Sequence, residues 1–418
     1  MHSLRQLEGS QMQGVARRSA LTVSGLVLGL SGLLTSTASA SESWRLEQPL
    51  DSTVNRIYFG VAATGADDAW TVGSTWTGSA EVPIAVRWDG TTWADTTPAP
   101  VTGTSARFTE ISASAPDNVW AAGDRTVEMG TRQVADPRRP RPARPAATGS
   151  STLVQRWDGQ AWTDIERPKP PAGMEGFTSD IAAFSPKSVW LITYDYDFKT
   201  NKSVDHFEHW TGNAWEQVEI PQIGALPLRP TRVSGTGDDD LWVSATSVAA
   251  DGKETPFLLH WNGKSWRQVE VPVPSDYRTG WVVNHVVPDG RGSAYVVGRV
   301  NEWNATGIPA FVTRWDGQSW RPLPAGPFDE INAAALDGSG KLWTAGWVPG
   351  DGHVLMAVWN GTEWRKDALP PEVAKTAEGS SILGFAAVPG TPGMLTAGLG
   401  SSGGLQSTWG VLASLGWH

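Results

Sequence analysis

The sequence predicts an all-β fold, a seven-bladed propeller of four-stranded antiparallel blades, on three observations. First, tryptophan, a dipeptide ending in glycine, two further residues and tryptophan recur six times: Trp88–Trp93, Trp157–Trp162, Trp210–Trp215, Trp261–Trp266, Trp315–Trp320 and Trp359–Trp364. Their spacing is 44 to 54 residues, with one gap of 69. Second, each copy is preceded by a short apolar phrase, as in Val119-Trp120-Ala121-Ala122-Gly123 or Ala294-Tyr295-Val296-Val297-Gly298. Third, helical periodicity is missing from residue 41 onward, while Pro, Asp, Gly and Asn clusters mark frequent turns.

In chain order, residues 1–40 read as a removed export signal. Arg17-Arg18 precede an uncharged apolar run from Ala20 to Leu34, which is shorter than the roughly 20 residues of a membrane span, and Ala38-Ser39-Ala40 is a small-residue cleavage pattern. The arginine pair suggests twin-arginine export, but Ala20 stands where a bulky apolar residue is wanted, so the general secretory route stays open. Residues 41–418 are expected to be extracellular and to form a single domain.

Losing the signal moves the formal charge from −10 to −12, which argues against nucleic acid as a partner. The mature chain has no second hydrophobic span and is expected to be monomeric. The absence of cysteine excludes disulfides, thiolate metal sites and cysteine nucleophiles.

Each period holds four candidate strands; in blade 2 they are Phe108–Ala113, Val119–Ala122, Leu153–Trp157 and Trp162–Ile165. The third and fourth strands meet at the repeated phrase, where Asp-Gly or Asn-Gly occurs five times and Thr211-Gly212 once. Such dipeptides favour tight hairpins, which put both tryptophans on one face. Those tryptophans are therefore read as blade packing.

The second-strand phrase recurs around Trp70, Trp120, Trp190, Trp242, Tyr295, Trp343 and Leu395, which makes seven units. The seventh lacks a closing hairpin phrase, whereas residues 43–48 are an orphan fourth strand. That strand is predicted to complete the last blade and close the ring. Blade 2 also carries an Arg/Pro-rich insertion, residues 128–150, predicted to be a disordered loop.

In these phrases the chain resembles kelch repeats, most plainly in blade 5, where Phe311-Val312-Thr313-Arg314-Trp315-Asp316-Gly317 leads to Trp320 and Pro322. The family's double glycine is absent, since Gly73, Gly123, Gly298 and Gly346 each stand alone. The chain is also similar to Trp-rich secreted propeller repeats of actinobacteria. Both resemblances imply the propeller fold and no chemistry. A copper site of the galactose oxidase type, found on a similar propeller, needs a cysteine that this chain lacks.

In such a blade the loops joining strands two to three, and each blade to the next, leave on one side of the disc. These loops vary in length and chemistry, so the ligand or partner face is placed there. Its candidate contacts are Trp76, Tyr194, Tyr196, Trp281, Trp303, Trp347 and His353.

A second set lies on the innermost strands. Glu110, Asp180, Arg232 and His285 stand ten residues before the second-strand aromatic, and Glu330 is read as their counterpart in blade 6. These are expected to line the channel. No catalytic residue, metal site or cofactor is assigned; His206 and His209, three apart on a strand, point to opposite faces. The favoured function is a secreted, non-catalytic binding or scaffold propeller for an extracellular protein or polysaccharide. The alternative is a glycan-active hydrolase or lyase using the channel acids.

Overall fold

The computed structural model describes residues 43–417, except 52, 130–146, 222–227, 250–253, 273–280, 291, 301–309, 325, 349–353, 377–378 and 403–406. Seven four-stranded antiparallel sheets follow one another along the chain as blades. Their first, innermost strands are Arg56–Gly65, Ser105–Ala115, Glu175–Ser185, Leu228–Gly237, Trp281–Pro288, Glu330–Leu336 and Gly379–Ala387. The one helix among the described residues, Pro371–Thr376, lies between blades 6 and 7.

The repeated phrase forms a four-residue hairpin loop in which the two tryptophans are direct cross-strand partners, as in Trp88 with Trp93 and Trp359 with Trp364. Glycine is required at the second loop position, where Gly90 has φ 92° and Gly361 φ 101°. The residue before it ties the loop: one Asp89 carboxylate oxygen accepts the Thr91 and Thr92 amides, both at 2.9 Å. The Thr91 hydroxyl, then these amides, hold that carboxyl at about 2.

In blades 2 and 3 the tryptophan pair receives the second-strand aromatic of the preceding blade. Trp70 packs on Trp157 and Trp162 at 5.2 and 5.5 Å, and Trp120 packs on Trp210 and Trp215 at 5.6 and 5.8 Å. A carboxylate or amide two residues earlier fixes the indole: Trp242 Nε1 donates to Asp240 at 3.1 Å, and His260, stacked on the ring at 4.2 Å, binds the same carboxylate. Arg87 does the same over Trp70 through Asp68. In blade 3 the position is Ser188, and there the Trp190 indole N–H is left without a partner.

Ring closure follows the predicted route. The N-terminal strand Arg45–Leu46 pairs with Ser407–Leu415 as the outermost strand of blade 7. Trp44, 3% exposed, meets Trp343 of blade 6 edge-on at 5.5 Å, which is the place a hairpin tryptophan fills elsewhere. Blade 7 has Leu395 where other blades have an aromatic, and Trp417 supplies the missing ring by packing on Trp88 and Trp93 of blade 1 at 5.1 and 6.0 Å.

The blade 2 insertion is narrower than the sequence suggests. Its strands run on to Met129 and resume at Ala147, because the Val127–Gly149 and Glu128–Thr148 pairs extend the ladder. Residues 130–146 lie outside the described residues, as does the expected signal.

Candidate functional site

The channel is built by a repeated backbone irregularity. Every innermost strand carries a β-bulge at the same register, at Phe59, Thr109, Ser179, Thr231, Asn284, Asn332 and Leu383. A bulge bends its strand and re-aims the side chains beside it. All seven bulged residues line one cavity of about 780 Å³. Close approach of the first two strands beside the bulge accounts for the lone glycine of the second strand: a Cβ on Gly73, Gly123, Gly346 or Gly398 would lie 1.8 to 2.1 Å from a carbonyl oxygen of the first strand.

The residue after the bulge is Glu110, Asp180, Arg232 or His285 in blades 2 to 5, and Gly60, Ala333 or Gly384 in blades 1, 6 and 7. Four predicted channel residues therefore share one level of the ring. Glu330 does not: Ala333 holds the equivalent register, and Glu330 lies at the strand's start, where it pairs with Arg299 at 3.1 Å. It still lines the same cavity, nearer the mouth.

Several of these side chains tie neighbouring blades together. Arg232 donates to Glu110 at 3.2 Å and to the Ser179 carbonyl at 2.8 Å. Asp180 accepts the Val233 amide at 2.8 Å and the Ile181 amide at 2.9 Å. His285 Nε2 lies 2.8 Å from the Asn332 carbonyl, a pairing that needs the proton on Nε2 and leaves Nδ1 an acceptor. Asn284 donates to the Ile331 carbonyl at 3.1 Å.

The setting shifts these groups. Burial raises the Glu110 carboxyl to about 7; Arg232 opposes this and Asp180 adds to it. The Asp180 carboxyl is raised for the same first reason. Burial, then the Arg232 charge, lowers the His285 imidazole to about 4, so it is neutral. Glu110 keeps 29% of its side chain open, which places a carboxyl able to donate or accept a proton at the cavity wall.

The cavity opens toward the variable-loop side, because it is lined by strand-one starts such as Arg107 and Glu330 and strand-two ends such as Asp124, Tyr194 and Arg299. On that side also lie the exposed large apolar residues of the described chain, Val54, Trp76, Val82, Phe198, Val204 and Trp347. Trp76 and Trp347, 48% and 42% exposed, end second strands at the rim.

Tyr194 and Tyr196 are on a strand rather than a loop, since Ser188–Asp197 continues the ladder through both. Tyr194 lines the cavity and stacks on Phe177 at 5.3 Å, and Tyr196 meets Phe198 at 4.8 Å. An aromatic path thus runs from the cavity mouth to the exposed tip of blade 3. Trp281 is 3% exposed and packs edge-on against Phe311 at 5.1 Å. Trp303 and His353 lie outside the described residues.

Sequence reasoning missed the bulged residues and Phe177, Phe198 and Trp417. The bulges repeat a position rather than a residue type, so only the strand register reveals them. His206 and His209 separate as expected, His206 to Asp195 and His209 to Ser188. Among the described residues no group of three or more His, Asp or Glu could hold a metal ion.

No protein-family model matches the chain, and no curated protein matches it. Solved structures do. A PL25 polysaccharide lyase, an ulvan lyase, superposes at TM-score 0.51 with 12% identity, covering 88% of this chain and 96% of that one. A protein of unknown function from Dyadobacter fermentans matches at TM-score 0.48 and 11% identity, with 89% and 98% covered. YCF48 bound to a D1 peptide matches at TM-score 0.47 and 16% identity, with 89% and 96% covered. At these identities the likeness is one of fold.

Proposed function

We propose that this protein is an exported, non-catalytic binding propeller that recognises an extracellular protein or polysaccharide through its variable-loop face. One observation carries this reading: the polar cavity opens on the same face that holds the exposed Trp76, Trp347 and Phe198. Large aromatics in contact with solvent are the side chains that most often anchor a partner. The recurring tryptophans are spent on packing blade to blade, which leaves these rim residues without a framework role. The repeats fit a divergent kelch-like origin, their single glycine lying on the second strand where it passes close to the first.

The test is capture from the producer's culture medium on immobilised residues 41–418, analysed for protein and carbohydrate. A saturable partner whose retention falls at least about tenfold on Trp76→Ala with Trp347→Ala supports the reading. Equal retention by that double variant, with fold intact, overturns the assignment of this face.

A second reading, hydrolysis or elimination on a glycan, is favoured by the raised Glu110 carboxyl facing the cavity. Turnover of a glycan by the intact protein, abolished in Glu110→Gln, would replace the non-catalytic reading with this one.

A further inference from the structure

Resting on the binding reading, we infer that the central cavity is a subsite for the end of an uncharged sugar chain. The ring of bulges divides it into two unlike sectors. In blades 7 and 1 the bulged residues are Leu383 and Phe59, followed by Gly384 and Gly60, so these two blades contribute an apolar wall, with the Arg107 guanidinium of blade 2 at 6.0 Å from the Phe59 ring centroid. The bulged residues of blades 2 to 6 are all short and polar.

Within the polar sector, some groups are not consumed by the framework. Thr231 is committed to Ser244, but among the described residues the Thr109 hydroxyl and the Asn332 carboxamide make no hydrogen bond within the protein. His285 Nδ1 is a bare acceptor once Nε2 serves the Asn332 carbonyl, and Glu110 meets Arg232 through only one of its carboxyl oxygens. Neutral donors and acceptors thus face an apolar wall across a space of about 780 Å³, within the range of about 300–1,000 Å³ usual for ligand pockets. A pyranose has this duality, with a C–H face and a hydroxyl edge.

Charge selects against acidic sugars. The cavity's cations are engaged by carboxylates: Arg232 by Glu110, Arg299 by Glu330, and Arg107 near Glu81 at 3.9 Å. Each arginine of the lining is already set against a carboxylate, so a uronate or sulfate would find no cation among the described residues of the lining free to pair with it. Seven strands enclose the space laterally, so a polymer enters by its end and not across its middle.

The experiment is calorimetry and saturation-transfer NMR on residues 41–418 with linear neutral pentasaccharides of glucose, xylose, mannose and galactose, their uronate counterparts and a cyclic glucan. Expected is binding of at least one linear neutral pentasaccharide, weakened about 5- to 10-fold by Thr109→Val and by Asn332→Ala, with the uronates and the cyclic glucan bound more weakly than the linear sugar. Both substitutions are on partly open side chains and are expected to preserve the fold, while Phe59→Leu tests the apolar wall without opening a large void. The inference is overturned if no neutral pentasaccharide binds, if the uronates or the cyclic glucan bind as well, or if the chamber variants bind like the parent. Loss of polymer capture in Trp76→Ala with Trp347→Ala, alongside such a failure, would leave the binding face standing and remove only the sugar-end subsite. Capture of a protein alone would do the same.

Discussion

At the scale of single residues, the channel carboxyls and its histidine are displaced in opposite senses, burial raising Glu110 and Asp180 and lowering His285. Glu110 sits at about 7 in the folded chain against about 4.3 in an unfolded one, so between these values only the folded state keeps the proton. Its contribution is therefore complete below the lower value and is lost as pH rises toward 7. His285, at about 4 against about 6.5 unfolded, contributes fully above 6.5 and is lost as pH falls toward 4. The two slopes cancel in part across the shared window. Glu110→Gln should leave the histidine slope alone, so that urea midpoints rise steadily from pH 4.5 to 6.5 where the parent's stay flatter. Parallel curves for parent and variant would refute the Glu110 assignment.

Among the elements, the bulged first strand and the closing strand each make a sharp demand. A Cβ on Gly346 would lie 2.0 Å from the Glu330 carbonyl oxygen, so Gly346→Ala must push two paired strands apart, at a cost of about 1–3 kcal/mol or more by urea denaturation. Blades 3 and 4 carry Thr193 and Ala245 at this register, which locates the demand in how closely the strands approach and not in the bulge itself. The closing strand pairs through only Arg45 and Leu46, extended by the Glu47 amide on the Leu412 carbonyl at 2.9 Å and by the Ser414 hydroxyl on the Glu47 carboxylate. So short a ladder holds through the Trp44 ring it delivers into the core. Trp44→Ala should cost about 3–5 kcal/mol and lower hydrogen-exchange protection in Ser407–Leu415 more than in blade 3. Uniform loss across all blades would show that closure is not borne by this contact.

For the whole molecule, the repeat leaves two unlike faces. The two-residue turns between first and second strands, as at 66–67 and 116–117, and the tryptophan hairpins occupy one face, and the exposed aromatics and cavity mouth occupy the other. Much of this was legible in the sequence. The period gave the blade count, the Trp-Xaa-Gly-Xaa-Xaa-Trp phrase gave the hairpin, and the orphan Ser43-Trp44-Arg45 gave the closure, because each is a local pattern whose geometry is set by turn chemistry and strand alternation. Even the ten-residue offset that singles out Glu110, Asp180, Arg232 and His285 is local, since it counts back along one hairpin. Tertiary structure alone decided what lies across the ring. Trp417 replaces an aromatic that Leu395 does not provide, Glu330 falls out of register with its supposed equivalents, and Trp281 turns inward. It also brings Phe59 and Leu383, more than three hundred residues apart, side by side on one wall. A repeating sequence fixes contacts within a blade, whereas the meeting of blades depends on how seven imperfect copies share one axis.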